Sequence, residues 1–146
     1  MNGTRTLFRS APELIVNGGM ELDSDWPDVG SPDINQRSNV KQHTGSYSRY
    51  VADTAYDGCG QAITKVAGHS YVVSFWYYII SGSLSMVLEN GDGSGTLMTF
   101  GTNEPSITWN SYTSAPVTET ISGSTGRIKF LALGSFYIDD VSIREV

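Results

Sequence analysis

The chain has 146 residues and a single cysteine, so it can bury the core of one domain but cannot form an internal disulfide bond. Its formal net charge of -6 argues against a nucleic-acid partner, because phosphate contacts require a basic surface. The N-terminus lacks the apolar segment of a secretory signal, and no run is long enough for a transmembrane segment. We therefore expect a protein made in a cytoplasm and held together by packing or by metal.

In chain order, the sequence predicts an N-terminal arm at residues 1–12 and a single domain at 13–146. A strand at 13–17 is followed by an irregular region from residue 18 to about 40, which is rich in Pro, Asp and Gly. Strands follow at about 46–52 and 60–66. Cys59 lies between two glycines and is expected to be a small core residue or an exposed residue without a role, rather than a nucleophile.

Residues 70–80 give the strongest strand pattern. One face carries Phe75 in an apolar stripe, and the opposite face carries Trp76 and Tyr78. Because both faces are apolar, this strand is either central and covered on both sides or part of an exposed binding platform. Trp26 and Trp109 are expected to fill the ends of the fold.

The other predicted strands are short and separated by turns; they lie at 83–90, 96–100, 108–113, 117–121, 127–133 and 136–143. About nine or ten strands and no convincing helix predict an all-β fold. The expected architecture is a two-sheet antiparallel β-sandwich of the jelly-roll type.

The last predicted strand contains Asp139 among apolar residues. Side chains alternate along a strand, so Asp139 points inward if Val141 and Ile143 face the core. A buried carboxylate needs a partner, and Glu21, near the other end of the chain, is the candidate. Two acids would repel unless a cation lay between them, which predicts a structural calcium ion. The alternative is that both acids bind loop amides without a metal.

Six segments in this order resemble the xylan- and β-glucan-binding jelly-roll family of carbohydrate-binding modules, within the galactose-binding-like β-sandwiches. They are VNGGME at 16–21 with Trp26 after it, HTGSYS at 43–48, GQAI at 60–63, AGHSYVVSFW at 67–76, TW at 108–109 and FYIDDVSI at 136–143. The resemblance covers residues 14–146. It implies a structural calcium site with side-chain oxygens from Glu21 and Asp139, completed by carbonyl groups near Gly19 and Gly45 or Ser46.

Sugar-binding sites combine an aromatic platform with a few polar side chains. Trp76 and Tyr78 are the predicted platform. The other candidate ligand-binding residues are Gln61, Arg127 and Lys129 on neighbouring strands, with Tyr56 or Trp26 closing the site at a loop end. The alternative is that Trp76 and Tyr78 pack beneath a loop or against another subunit.

No recognisable motif pairs two acids or activates a nucleophile, so the chain is not expected to be an enzyme. The predicted function is that of a phage surface or decoration protein that adheres to glycans, at the virion surface or outside the cell after lysis. Capsid or tail proteins, docked through the arm, and further copies of the chain are the expected protein partners. The alternatives are a sugar-binding module that works with a glycoside hydrolase and a purely structural capsid or tail component.

Overall fold

The computed structural model describes residues 12–103 and 107–146, so the predicted arm lies outside the described residues except for Pro12. The described chain forms eight strands and no helix. The strands are β1 Asp28–Val29, β2 Ile34–Ser38, β3 Ser48–Ala62, β4 Ser70–Glu89, β5 Thr96–Thr102, β6 Asn110–Thr113, β7 Val117–Thr118 and β8 Arg127–Glu145. All of the strand pairings are antiparallel. Within these residues, no helical stretch has the length and apolarity that a membrane crossing requires.

Three long strands, β3, β8 and β4, lie side by side and run through both layers of the sandwich. The first layer contains residues 48–53, 135–145 and 70–79 of these strands, flanked by β2 on one side and by β6 and β7 on the other. The second layer contains residues 57–62, 127–133 and 83–89, flanked by β1 and β5. The predicted all-β sandwich is confirmed. The count of eight differs from the ten predicted segments because three pairs of them are each one continuous strand, the strand at 13–17 is absent, and β1 and β2 are additional.

The bend between the layers depends on two glycines that pair with each other, Gly82 in β4 and Gly134 in β8. Their φ angles are 68° and 123°, which side-chain-bearing residues rarely adopt. A Cβ atom on Gly82 would lie 1.7 Å from the Leu133 carbonyl oxygen, and one on Gly134 would lie 2.2 Å from that of Ser81. The neighbouring strand β3 bends through a bulge between Asp53 and Asp57.

The core lies between the two layers. Phe75 of the first layer packs edge-on against Phe130 of the second, with ring centroids 4.9 Å apart, and Phe100 is 5.8 Å away. Val73, Phe75 and Ile79 are fully buried, which confirms the predicted inward face of this strand. Cys59 is also fully buried, and burial raises the pKa of its thiol to about 12, so it is an unreactive core residue.

Two predictions for the N-terminal third of the domain are wrong. The predicted strand at 13–17 is only an isolated bridge between Glu13 and Arg144, because the backbone turns at Asn17, where φ is 53°. The region from 18 to 40, predicted to be irregular, contains β1 and β2. These are short edge strands, and β2 has the polar sequence INQRS, which lacks the apolar alternation expected of a strand.

A charged pair, Lys65 and Glu119, is buried at the end of the fold. The Lys65 Nζ atom lies 3.4 Å from Glu119 Oε2, and neither side chain is exposed to solvent. The ammonium group also donates to the Glu89 carbonyl at 2.8 Å, while Glu119 Oε1 accepts the N–H groups of Thr120 and Ile121. Burial lowers the pKa of Lys65, and the carboxylate of Glu119 opposes that shift.

We expect Lys65→Met to lower the free energy of unfolding by about 3–5 kcal/mol, because it leaves the Glu119 carboxylate buried without a counter-charge. The double variant Lys65→Met/Glu119→Leu should recover most of this loss. Urea denaturation measures both. Lys129→Met is the control, since its partner Glu89 keeps solvent contact and other donors. A double variant no more stable than Lys65→Met would contradict this account.

Candidate functional site

Five aromatic side chains form a band on the outer face of the first layer, which we call the aromatic strip. Its members are Tyr50 of β3, Tyr137 of β8, Trp76 and Tyr78 of β4, and Trp109, which immediately precedes β6. Four of the rings contact in turn: their centroids are 4.9 Å apart for Tyr50 and Tyr137, 6.2 Å for Tyr137 and Tyr78, and 5.7 Å for Tyr78 and Trp109. Trp76 is linked to Trp109 through His43, which packs against both rings.

The three tyrosines of the strip form a row because of strand register. Tyr50 pairs directly with Tyr137, and Tyr137 pairs directly with Tyr78. Side chains opposite each other on adjacent strands project to the same face, so the row crosses three strands at right angles. With about 4.8 Å between strands, it spans roughly 10 Å.

A loop that we call the covering loop, residues 39–47, lies over one end of this strip. The imidazole of His43 stacks on the Trp76 ring, with centroids 3.7 Å apart and an interplanar angle of 14°. The ammonium group of Lys41 lies 5.0 Å from the centre of the Tyr78 ring. His43 therefore covers one face of the Trp76 ring, an arrangement that favours the alternative of packing beneath a loop for this residue.

Asp139 holds the first half of the covering loop. Its Oδ2 atom accepts the main-chain N–H groups of His43 and Thr44 at 3.0 and 3.2 Å, and its Oδ1 accepts that of Asp140 at 2.8 Å. The residue is fully buried, and burial raises the pKa of the carboxyl to about 6 even though these hydrogen bonds oppose the shift. The adjacent Asp140 carboxylate contacts His43 Nδ1 and the Thr44 hydroxyl, each at 2.6 Å.

Glu21 holds the second half of the same loop. Its carboxylate accepts the N–H groups of Ser46 and Tyr47 at 3.0 and 3.1 Å. Gly45 makes room for it: a Cβ atom there would lie 2.2 Å from Glu21 Oε1, and the φ angle of 67° also favours glycine. Glu21, which is exposed, and Asp139, which is buried, thus come from the two ends of the chain and hold one five-residue segment of the loop.

The predicted direction of Asp139 is wrong. The backbone has a φ angle of 50° at Asp140, and the register with β4 shifts between Ser74 and Trp76. This bulge changes the alternation, so Val141 and Ile143 face the core while Asp139 lies on the outer face beside Trp76. The covering loop, rather than the core, buries the carboxylate.

The residues around Glu21 and Asp139 meet only some of the requirements of a site for a hard cation such as calcium. Among residues 12–103 and 107–146, no group of three His, Cys, Asp or Glu side chains is placed to hold a metal ion, and the predicted set has two such side chains with carbonyl groups. Both carboxylates accept main-chain N–H groups, which accounts for the burial of Asp139 without a metal. Its Oδ1 atom accepts one hydrogen bond and retains a free lone pair. Calcium therefore stays a prediction.

The other predicted ligand-binding residues lie away from the strip. Gln61, Arg127 and Lys129 are in the second layer, where Gln61 pairs with Ile128, whereas the strip is on the first. Gln61 instead fixes the N-terminal segment: it donates to the Val16 and Asp25 carbonyls and accepts the Val16 N–H. The three residues lie on β3 and β8, strands of the same sheet as β4, but in the layer that does not carry Trp76.

The remaining polar candidates have other roles. Arg127 and Lys129 pair with Glu89 at 3.5 and 3.3 Å. Tyr56 lies at the bend of β3, also apart from the strip. Trp26 is 2% exposed and donates its indole N–H to the Asn17 carbonyl, so its expected structural role is confirmed. Trp109 contributes to the strip instead of filling an end of the sandwich.

We expect the two carboxylates to protect different amides of the covering loop from hydrogen exchange. Asp139→Ala should speed exchange most at His43 and Thr44, whereas Glu21→Ala should act on Ser46 and Tyr47, because each variant removes the acceptor of those groups. Exchange measured by NMR resolves them. Asp25→Ala, an exposed acid outside the loop, should change none of the four. Equal acceleration of all four amides by either variant would contradict separate roles.

Comparison with known proteins identifies the fold. No protein-family model and no curated protein sequence matches the chain. A xylan-binding domain from Paenibacillus barcinonensis has a TM-score of 0.73 at 15% identity, over 94% of this chain and 97% of that one. A family 22 carbohydrate-binding module from Clostridium thermocellum gives 0.70 at 20% identity, over 87% and 90%. The enzymatically active domain of tailspike protein 4 from bacteriophage CBA120 gives 0.68 at 18% identity, over 92% of this chain and 21% of that one. The chain thus has the β-sandwich fold of these carbohydrate-binding modules.

Proposed function

We propose that this chain is a non-catalytic binding protein that holds a glycan along its aromatic strip. The observation that carries the proposal is the register of Tyr50, Tyr137 and Tyr78, which aligns three rings across neighbouring strands. Sugar rings have apolar C–H faces that pack on aromatic rings and hydroxyl groups that need hydrogen-bond partners. Tyr50 and Tyr78, at the two ends of this row of about 10 Å, are half-buried, whereas Tyr137 between them is 6% exposed, so the two outer rings offer the contacts to sugar units.

Polar groups beside the strip supply the hydrogen bonds that such a ligand needs. Tyr50 and Tyr78, which are half-buried, carry phenolic hydroxyls that can each donate and accept a hydrogen bond. Lys41, on the covering loop, contributes an ammonium group above Tyr78. The acids nearest to the strip, Asp139 and Asp140, bind the covering loop instead of facing a second acid across a cleft. This arrangement supports binding without hydrolysis.

The setting in which the module works forms the second part of the proposal. The fold likeness to a section of a phage tailspike domain favours a phage surface or decoration protein over a free-standing enzyme accessory. Its partners are then capsid or tail proteins and, on the host or in the environment, glycans. A sugar-binding module that accompanies a glycoside hydrolase is the alternative, favoured by the likeness to xylan-binding domains. A structural virion component without sugar binding is the third candidate.

We further propose that calcium strengthens the hold of the two chain ends on the covering loop. Glu21 and Asp139 would supply carboxylate oxygens, and the carbonyl groups of Gly19 and of Gly45 or Ser46 would supply the rest. The free lone pair of Asp139 and the shared contact of both acids with residues 43–47 support this set. The ion would add positive charge between two acids that otherwise rely on N–H groups alone.

We expect Tyr50→Ala and Tyr78→Ala each to weaken glycan binding about ten-fold, because each removes one stacking ring from the row. A glycan array of plant, algal and bacterial polysaccharides identifies the ligand, and calorimetry on that ligand gives the affinities. Tyr47→Ala is the matched control, since this tyrosine stacks under Arg37 outside the strip. Absence of binding by the unmodified chain across the array, or equal loss in Tyr47→Ala, would favour the structural alternative.

We expect EDTA to lower the melting temperature if calcium is bound, because a ligand that binds only the native state stabilises it. Asp139→Asn should remove the sensitivity to EDTA, whereas Asp25→Asn should keep it. Differential scanning fluorimetry with and without added calcium measures both. An unchanged melting temperature of the unmodified chain in EDTA would refute the metal and leave the amide-bound carboxylates as the complete arrangement.

A further inference from the structure

The bend between the two layers carries a cleft that is separate from the aromatic strip. Two adjoining cavities of about 350 and 300 Å³ share Tyr56, Ser83 and Asn103 in their walls. The remaining walls come from β4, β5 and β8, with Thr102 in one cavity and Leu133 in the other. We propose that this cleft is a second sugar-binding site, which takes a single neutral sugar unit or the end of a chain.

The first observation is the presentation of the Tyr56 ring. Its backbone is in the left-handed region, with φ at 59°, and its side chain is 49% exposed. The Asp53 carboxylate holds this conformation, since its Oδ2 accepts the N–H groups of Ala55 and Asp57 at 2.9 Å each. The Tyr56 ring and hydroxyl make no hydrogen bond or ring contact with any other described residue. The fold therefore holds an aromatic ring at the mouth of the cleft without using it for packing.

Ser83, which lines both cavities, supplies the second observation. The Ser83 Oγ atom is buried and has no hydrogen-bond partner among the described residues. A buried hydroxyl in this state costs free energy and is uncommon in folded proteins. Because this atom is closed off from solvent, rotation of the Ser83 side chain toward the cleft would let it bind a ligand hydroxyl, and the side-chain amide of Asn103 adds a donor and an acceptor to the same walls.

The chemistry of the walls indicates the class of ligand. Aromatic, hydroxyl and amide groups are present, and no lining residue is charged. This combination matches an uncharged, hydroxyl-rich molecule with one apolar face, which is a neutral sugar. The volumes lie at the small end of ligand pockets. The cleft thus suits one sugar unit, in contrast to the extended row of the strip, and this inference goes beyond the proposed function because it concerns a different part of the surface.

The test is an NMR titration of the full chain with the methyl glycosides of xylose, glucose, galactose and mannose. We expect at least one of them to shift the amide signals of Ser83, Ser85 and Thr102. Tyr56→Gly should abolish these shifts while the fold persists, because glycine adopts a positive φ without strain. Tyr56→Phe should keep them, and so should Tyr50→Ala, in which only the strip is altered. No shift with any of the four sugars, or shifts that survive Tyr56→Gly, would overturn the site.

The variant Ser83→Ala tests whether the unpaired hydroxyl of Ser83 contacts a ligand or is only an unsatisfied group in the packing. Removing an unpaired buried hydroxyl should raise the melting temperature in the absence of sugar. If the hydroxyl binds the ligand, the same variant should weaken binding of the active glycoside about five-fold, the equivalent of one lost neutral hydrogen bond. A higher melting temperature with unchanged affinity would remove Ser83 from the site. Failure at the cleft would leave binding by the strip intact, so the two proposals fail independently.

Discussion

Carboxylates that accept main-chain N–H groups hold the irregular backbone of this fold, and the aromatic strip depends on them. Asp139 and Glu21 fix the covering loop, and Asp53 fixes the bulge at the bend. Glu13 binds the N–H of Ile143 and so joins the N-terminal segment to β8. The acidic composition, which at first argues only against nucleic acid, thus has a structural use in a chain that lacks disulfide bonds.

The same acids hold the covering loop in place although its backbone does not pair with the sheet beneath it. Four of its main-chain N–H groups bind carboxylates that come from the two ends of the domain, and the loop forms no ladder with β4 or β8. His43 and Lys41 therefore lie over the strip because the loop is held from its edges. In the site that we propose for a glycan, strand register aligns the aromatic rings, and hydrogen bonds to carboxylates hold the loop that partly covers them.

The alternation of side chains along a strand predicted those parts of the fold that depend on local sequence alone. The inward stripe around Phe75 and the outward position of Trp76 and Tyr78 follow from the sequence of residues 70–80 alone. The union of this strand with the next one could not be foreseen, since the Ser-Gly-Ser sequence around Gly82 also suits a turn. In the fold, that glycine pairs with Gly134 in a distant strand, and such pairings are not visible in local sequence.

The candidate site was predictable only in part for the same reason. Tyr78 was identified from its own strand, but Tyr50 and Tyr137 join it through register across β3 and β8. Their common face could have been suspected only if the pairing of those strands had been known. The bulge at Asp140 had a similar effect on Asp139: the sequence indicates a buried acid, but a single positive φ angle decides which face it occupies.

The position of β8 between β3 and β4 also has a consequence for synthesis on the ribosome. This strand is central in both layers, and it lies last among the strands. Until residues 127–145 have left the exit tunnel, β3 and β4 have no common neighbour and neither layer can close. The sandwich therefore closes only after its last strand has emerged, and the edges of β3 and β4 that β8 covers stay unpaired until then.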